Sequence, residues 1–186
     1  MIFNKHYEVE GQHAEIMSPS NPSWLNYDLE KLETVWRNKQ AVKMGTRLHA
    51  LAAEHIDLGL KMPKSRTTLN MYINDSIGYR NTPEQKLLYS TNCFGTADSI
   101  SFNKNVLRIF DLKTGSTPAH IEQLEIYAAL FCLEYGIKPS RTEFDLRIYQ
   151  TDDIIEGHTQ YDDIEEIMGI IKKFDAKLNT LNARKM

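Results

Sequence analysis

The sequence predicts an α/β protein, and three observations carry that expectation. Segments 94–102 and 106–112 alternate and are rich in β-formers, and with 84–91 as a first strand they read as an antiparallel meander. A helical stretch opening at Ser116-Thr117-Pro118 and running to Tyr135 separates 106–112 from another strand-like segment, 143–150. A strand, a helix and a strand spaced in this way imply a parallel, right-handed crossover. Stretches with apolar residues at helical spacing lie at both ends of the chain. The resulting order contains an αβββαβ core, with extra N-terminal helices before it and a C-terminal helix after it.

Residues 1–17 read as a short strand or extended arm. Ser18-Pro19-Ser20-Asn21-Pro22-Ser23 is a breaker cluster, with Ser20 or Ser23 able to cap the next helix. That helix, 24–40, carries Leu25, Leu29, Leu32, Val35 and Trp36 at helical spacing. A second helix, 42–58, sets Met44, Leu48, Leu51, Ala52 and His55 on one side, with His49 and Ala53 beside that stripe and Gly59 as C-cap. A third spans 65–79. The meander follows, with Glu84 at the start of its first strand, either solvated there or reaching a site on the neighbouring strand. In the crossover helix Ile121, Leu124, Ala128, Phe131 and Tyr135 form the buried stripe, and Gly136 and Pro139 end it. A strand over 143–150, another over 154–160 and an amphipathic helix over 162–182 complete the chain. No repeat, low-complexity tract or long linker divides it, so one domain over 1–186 is expected.

Composition narrows the classes. Of 186 residues, 41% are hydrophobic and 25% charged, ordinary for a soluble globular protein. No apolar run approaches a membrane span, and the N-terminus lacks the layout of a secretion signal. Cys93 and Cys132 cannot supply a four-cysteine zinc or iron–sulfur site, and a reducing cytoplasm is the expected compartment. Net charge is −3, yet residues 36–66 hold seven Lys or Arg against two acids, and residues 150–171 hold seven acids and no Lys or Arg. The basic sector, with Lys43 and Arg47 flanking His49, reads either as a surface for phosphates or as ordinary solvated helix faces.

The hairpin of 94–102 and 106–112 concentrates the chemistry. With a two-residue loop at Lys104-Asn105, Asn103 pairs with Val106 and Asp98 falls opposite Asp111; a three-residue loop would shift that register. Lys113, two residues on, shares the face of Asp111. Two facing carboxylates repel, and a divalent cation or an ion pair with Lys113 would relieve them. Gln123 and Tyr127, four apart, share one edge of the crossover helix.

Gly95-Thr-Ala-Asp98, then Asp111-Leu-Lys-Thr-Gly115, then Gln123-x-x-x-Tyr127, preceded by Gly45-Thr-Arg-Leu-His49, resembles the RecB-type branch of the PD-(D/E)xK nuclease superfamily. The opening His13-Ala-Glu-Ile-Met-Ser-Pro-Ser20, followed by Trp24, is similar to phage-encoded exonucleases of that branch, and the resemblance covers roughly residues 13–150. It implies a restriction-endonuclease-like core and metal-dependent hydrolysis of DNA, first as an exonuclease and second as an endonuclease. It implies Mg²⁺ or Mn²⁺ held by His49, Asp98, Asp111 and the Leu112 carbonyl; some members of the branch carry a cysteine-held iron–sulfur cluster, and with only Cys93 and Cys132 this chain departs from them. Lys113 would then act on the attacking water, Gln123 and Tyr127 would support it, and Thr114 and Gly115 would offer N–H groups to a phosphate near a helix N-terminus. DNA is the implied partner, with a phage recombination or single-strand-binding protein or further copies of the chain beside it, in the cytoplasm of a bacterial host. A lone helical histidine is usually structural; the motif is what makes His49 a ligand. Two other classes stay open: a nucleic-acid-binding or protein-inhibiting module that keeps the fold without turnover, and a metal-dependent enzyme acting on something other than DNA.

Overall fold

The computed structural model describes residues 5–183. Packing divides the chain between Met44 and Gly45 into two compact units. In the first, the expected helix over 24–40 begins later. Pro22–Asn26 forms a 3-10 turn, and α1 starts at Leu29 and runs unbroken to Leu58. Asp28, rather than Ser20 or Ser23, caps it: its carboxylate accepts the Lys31 N–H at 2.7 Å and its carbonyl the Leu32 N–H at 3.0 Å. Nothing between Gln40 and Val42 breaks a helix, so the two helices expected from the sequence are one. Tyr7–Val9 is a 3-10 turn where a strand or arm was expected; residues 1–4 of that segment lie outside the described residues. No side chain over 5–44 is fully buried.

The second unit is mixed α/β. After α1 come α2 (Thr68–Gly78), β1 (Thr82–Ser90), β2 (Cys93–Asn103), β3 (Val106–Leu112), α3 (Glu122–Tyr135), β4 (Glu143–Gln150), β5 (Asp153–Glu156) and α4 (Tyr161–Ala183). The five strands form one sheet in chain order. β1, β2 and β3 pair antiparallel, β3 and β4 parallel as the crossover predicts, and β4 and β5 antiparallel. The two-residue hairpin loop is the one formed: Lys104 and Asn105 both have positive φ, and Asn103 pairs with Val106.

Leu87, Ala97, Ile100, Leu107 and Ile109 of the sheet pack with Leu124, Ala128 and Phe131 of α3 and Ile164 and Ile171 of α4. Phe110, Leu112 and Tyr149 pack with Ala52 and Ile56 of α1 and Tyr72 and Ile73 of α2. Buried polar bonds fix α2 to the sheet, with Ser76 Oγ 3.0 Å from Ser99 Oγ and the Tyr149 hydroxyl donating to Asp75 at 2.8 Å. The helix expected from Ser116 begins at Glu122 instead. Gln150 explains this: its side-chain N–H groups reach the carbonyls of Gly115 and Thr117, and its oxygen accepts the Ala119 N–H, so the loop's backbone is satisfied without a helix. Among the described residues no helix is long and apolar enough to cross a membrane.

Candidate functional site

The inward stripe of α1 is Gly45, His49, Ala52 and Ile56, rotated from the expected one; Met44 is 53% and Leu51 39% exposed. Gly45 sets this orientation. A Cβ there would stand 2.8 Å from Thr114 Oγ1, so the missing side chain lets the helix approach the loop after β3. His49, one turn on, faces the same way, with Nδ1 3.4 Å from Asp98 Oδ2. His55 instead closes the helix end, its Nδ1 2.9 Å from the Leu60 carbonyl, and Gly59 has the positive φ of the expected C-cap.

Asp98 stands where the β2–β3 ladder gives out. Pairing ends at Ser99 and Phe110, and the Leu112 N–H donates to Asp98 Oδ2 at 2.9 Å. On the other side of β2, Pro83 pairs with Ser99 and Gln85 with Ala97, which sets Glu84 opposite Asp98. Glu84 lies inside β1 rather than at its start, and its φ is +48°. A non-glycine residue in this region stores strain, and such residues gather at functional sites.

One ligand atom each from His49, Glu84 and Asp98 lie within 4.8 Å of one another, so these three could hold a metal ion. They line a cleft of about 530 Å³ together with Gly45, Thr46 and Ala50. The electrostatics are those of excess negative charge. The hydrogen bond to Asp98 raises the His49 pKa against the opposing effect of burial. Burial and then Asp98 hold the Glu84 carboxyl above its ordinary range.

Asp111 is not one of the three. It is only 3% exposed, and burial followed by Asp98 raises its pKa. Lys113 Nζ donates to Asp111 Oδ1 at 3.2 Å and lies 2.9 Å from Oδ2, but no hydrogen bond is aligned on Oδ2. A buried carboxylate whose Oδ2 has no aligned hydrogen bond, with Asp98 and His49 near enough to act on its charge, fits a divalent ion. Lys113 also donates to Gln123 Oε1 at 3.0 Å, and Gln123 Nε2 lies 3.5 Å from the Tyr127 hydroxyl. Tyr127 returns to β2, since a Cβ on Gly95 would sit 2.8 Å from its Cε1. The sequence-predicted Asp98, Asp111, Lys113, Gln123 and Tyr127 are thus one connected row across β2, β3 and α3.

Other candidates stand differently. Leu112 gives its N–H to Asp98 and its side chain to the core. Thr114 and Gly115 are in the loop held by Gln150, seven and six residues before Ile121 closes the start of α3, so they do not sit at a helix N-terminus. Lys43 forms an ion pair with Glu15, whose pKa it lowers. Arg47 is exposed on α1. Gln150 was legible only as the end of a strand, and nothing in its sequence context marks it as the organiser of the loop. Comparisons with protein-family models, with curated proteins and with solved structures return no match.

Proposed function

We propose that this protein is a metal-dependent DNA nuclease of the PD-(D/E)xK type, with α1 and α2 leading into a restriction-endonuclease-like core of β1–β3, α3 and β4. One observation carries the reading: residues from separate motifs form one linked set, in which His49 and Asp98 line the cleft and Asp111, Lys113, Gln123 and Tyr127 follow one another by side-chain contacts.

In this reading His49, Glu84 and Asp98 hold Mg²⁺ or Mn²⁺, with Asp111 Oδ2 beside them. The imidazole favours Mn²⁺. The ion would polarise the phosphoryl oxygens and lower the pKa of a bound water. Lys113 is the group for the proton and for the charge that develops on phosphate. Asp111 and Gln123 fix its ammonium in place, and Tyr127, wedged over Gly95, fixes Gln123. Arg47, exposed on α1, supplies positive charge near the start of the motif for the DNA backbone, whereas the charge of Lys43 is paired with Glu15.

The test is nucleotide release from linear, circular and single-stranded DNA with Mg²⁺, Mn²⁺ or EDTA. Cleavage with either metal and none with EDTA is expected, with linear DNA consumed from its ends. Binding of DNA without cleavage under any metal would replace the enzyme by a binding module.

A further inference from the structure

A second pocket adjoins the cleft. It measures about 310 Å³, and Leu48, Leu69 and Leu112 line it together with the hydroxyl-bearing Thr68, Ser116 and Thr151. Lys113 lines it too, and Leu48 directly precedes His49 on α1, so the pocket lies against the residues described above.

Thr151 is the second strained residue of the neighbourhood. With Asp152 it makes the turn between β4 and β5, at φ +49° and +59°. Such a turn favours Asn and Gly, and a β-branched residue there is an outlier. The turn is pinned. The Asp152 carboxylate accepts the Thr68 N–H at 2.8 Å and its hydroxyl at 3.1 Å, and the Thr68 oxygen accepts the Asp152 N–H at 2.7 Å. Strain held in place by a tertiary network beside a pocket points to a ligand.

We propose that this pocket is a subsite for one unpaired terminal nucleotide of a DNA strand, its adjoining phosphate placed at Lys113. The inference rests on the nuclease reading. The volume is at the lower end of small-molecule sites, about 300–1,000 Å³, enough for one base and its sugar but not for a base pair within a duplex. Aliphatic side chains match the face of a base, and the hydroxyls of Ser116 and Thr151 match its polar edge or the sugar, that of Thr68 being taken up by Asp152. A base reaches such a pocket only after leaving its stack, which is easiest at a strand end. The pocket therefore favours ends over interior positions, and hydroxyls that donate and accept equally leave base identity weakly read.

The experiment uses single-stranded oligonucleotides in EDTA with 2-aminopurine at either end or inside, and a distant fluorescein whose anisotropy reports total binding. Wild type should change the fluorescence of one terminal 2-aminopurine several-fold more than that of the internal one. Leu69→Trp, which fills the pocket, should abolish the terminal change while anisotropy still reports binding. Ser116→Trp narrows the pocket from an exposed loop position and should do the same, so a folding defect in Leu69→Trp cannot mislead. Equal signals from terminal and internal probes, or a terminal signal unchanged in both variants, would overturn the subsite. Parallel assays with Mn²⁺ separate the two ideas. Cleavage without a terminal signal keeps the nuclease and removes the pocket; a terminal signal without cleavage keeps the pocket as a nucleotide site and removes the nuclease.

Discussion

Lys113 Nζ sits 2.9 Å from Asp111 Oδ2, two residues away and just past the end of β3, and that carboxylate is almost wholly buried. The pair has two consequences that separate in experiment. Lys113→Ala removes a group placed for the transition state, so single-turnover cleavage should fall on the order of a hundredfold or more while DNA and Mn²⁺ still bind. It also strips a buried carboxylate of its donor, so stability should fall by about 1–3 kcal/mol at neutral pH. Lys113→Arg should restore stability better than rate, because a guanidinium keeps the charge but does not give up its proton. Equal cleavage by wild type and Lys113→Ala would remove Lys113 from the mechanism.

Gly95 and Tyr127 test how the row is braced. Gly95→Ala brings a Cβ to within 2.8 Å of Tyr127 Cε1, and overpacking of this kind costs about 1–3 kcal/mol. Tyr127→Leu removes the ring edge that the new methyl meets. The double variant should be more stable than the two single losses predict, by at least about 0.5 kcal/mol in urea unfolding. Strict additivity would mean that Gly95 is needed for some reason other than Tyr127.

The raised pKa values fix the pH dependence of the metal-free protein. Folded His49 holds its proton more tightly than the unfolded chain does. Its contribution is complete below the unfolded value, about 6.5, and is lost as pH rises through the higher folded value. Glu84 and Asp111 also hold protons more tightly when folded, so each removes stability as pH rises from its unfolded value, about 4, through its folded one. All three make the metal-free protein less stable toward alkaline pH. A divalent ion needs these ligands deprotonated, so its effect runs the other way. Saturating Mn²⁺ at a hundredfold excess over Kd should add about 2.7 kcal/mol above pH 7.5 and progressively less below pH 6. Thermal unfolding with and without Mn²⁺ across this range measures it, and a pH-independent increment would contradict ligation by His49.

The sheet and most of the site were readable because they depend on local pattern. Alternation marked β2 and β3, Asn105 marked the hairpin loop, and that loop fixed the register that carries Asp98 toward Asp111. What stayed hidden depends on contacts remote in sequence. Gln150 decides where α3 begins, 28 residues after that start, by satisfying a loop no local signal describes. The stripe of α1 is turned by the absence of a side chain at Gly45, where apolar periodicity points to Met44 and Leu48. Asp111 is an acidic residue in a motif, and only the structure shows that Lys113 hydrogen-bonds one of its oxygens and pairs with the other by charge alone.

Glu84 offers the sharpest separation of stability from function. Its φ of +48° is held inside a strand, opposite Asp98, where both strain and charge oppose folding. Glycine adopts this φ without steric cost, and Glu84→Gly also removes the carboxylate that Asp98 repels. The metal-free variant should be more stable than wild type by roughly 1 kcal/mol, after the larger unfolded-state entropy of glycine is allowed for. Glu84→Gln keeps the strain and removes only the charge, so its gain should be smaller. Both variants should lose most of the stabilisation by Mn²⁺, and cleavage with it, because a ligand has gone. Such opposition is what a residue kept for function rather than folding produces. If Glu84→Gly is less stable than wild type, the backbone at this position is not strained. If it keeps the full response to Mn²⁺, then Glu84 is not a ligand, and the ion must be held by His49, Asp98 and Asp111 alone.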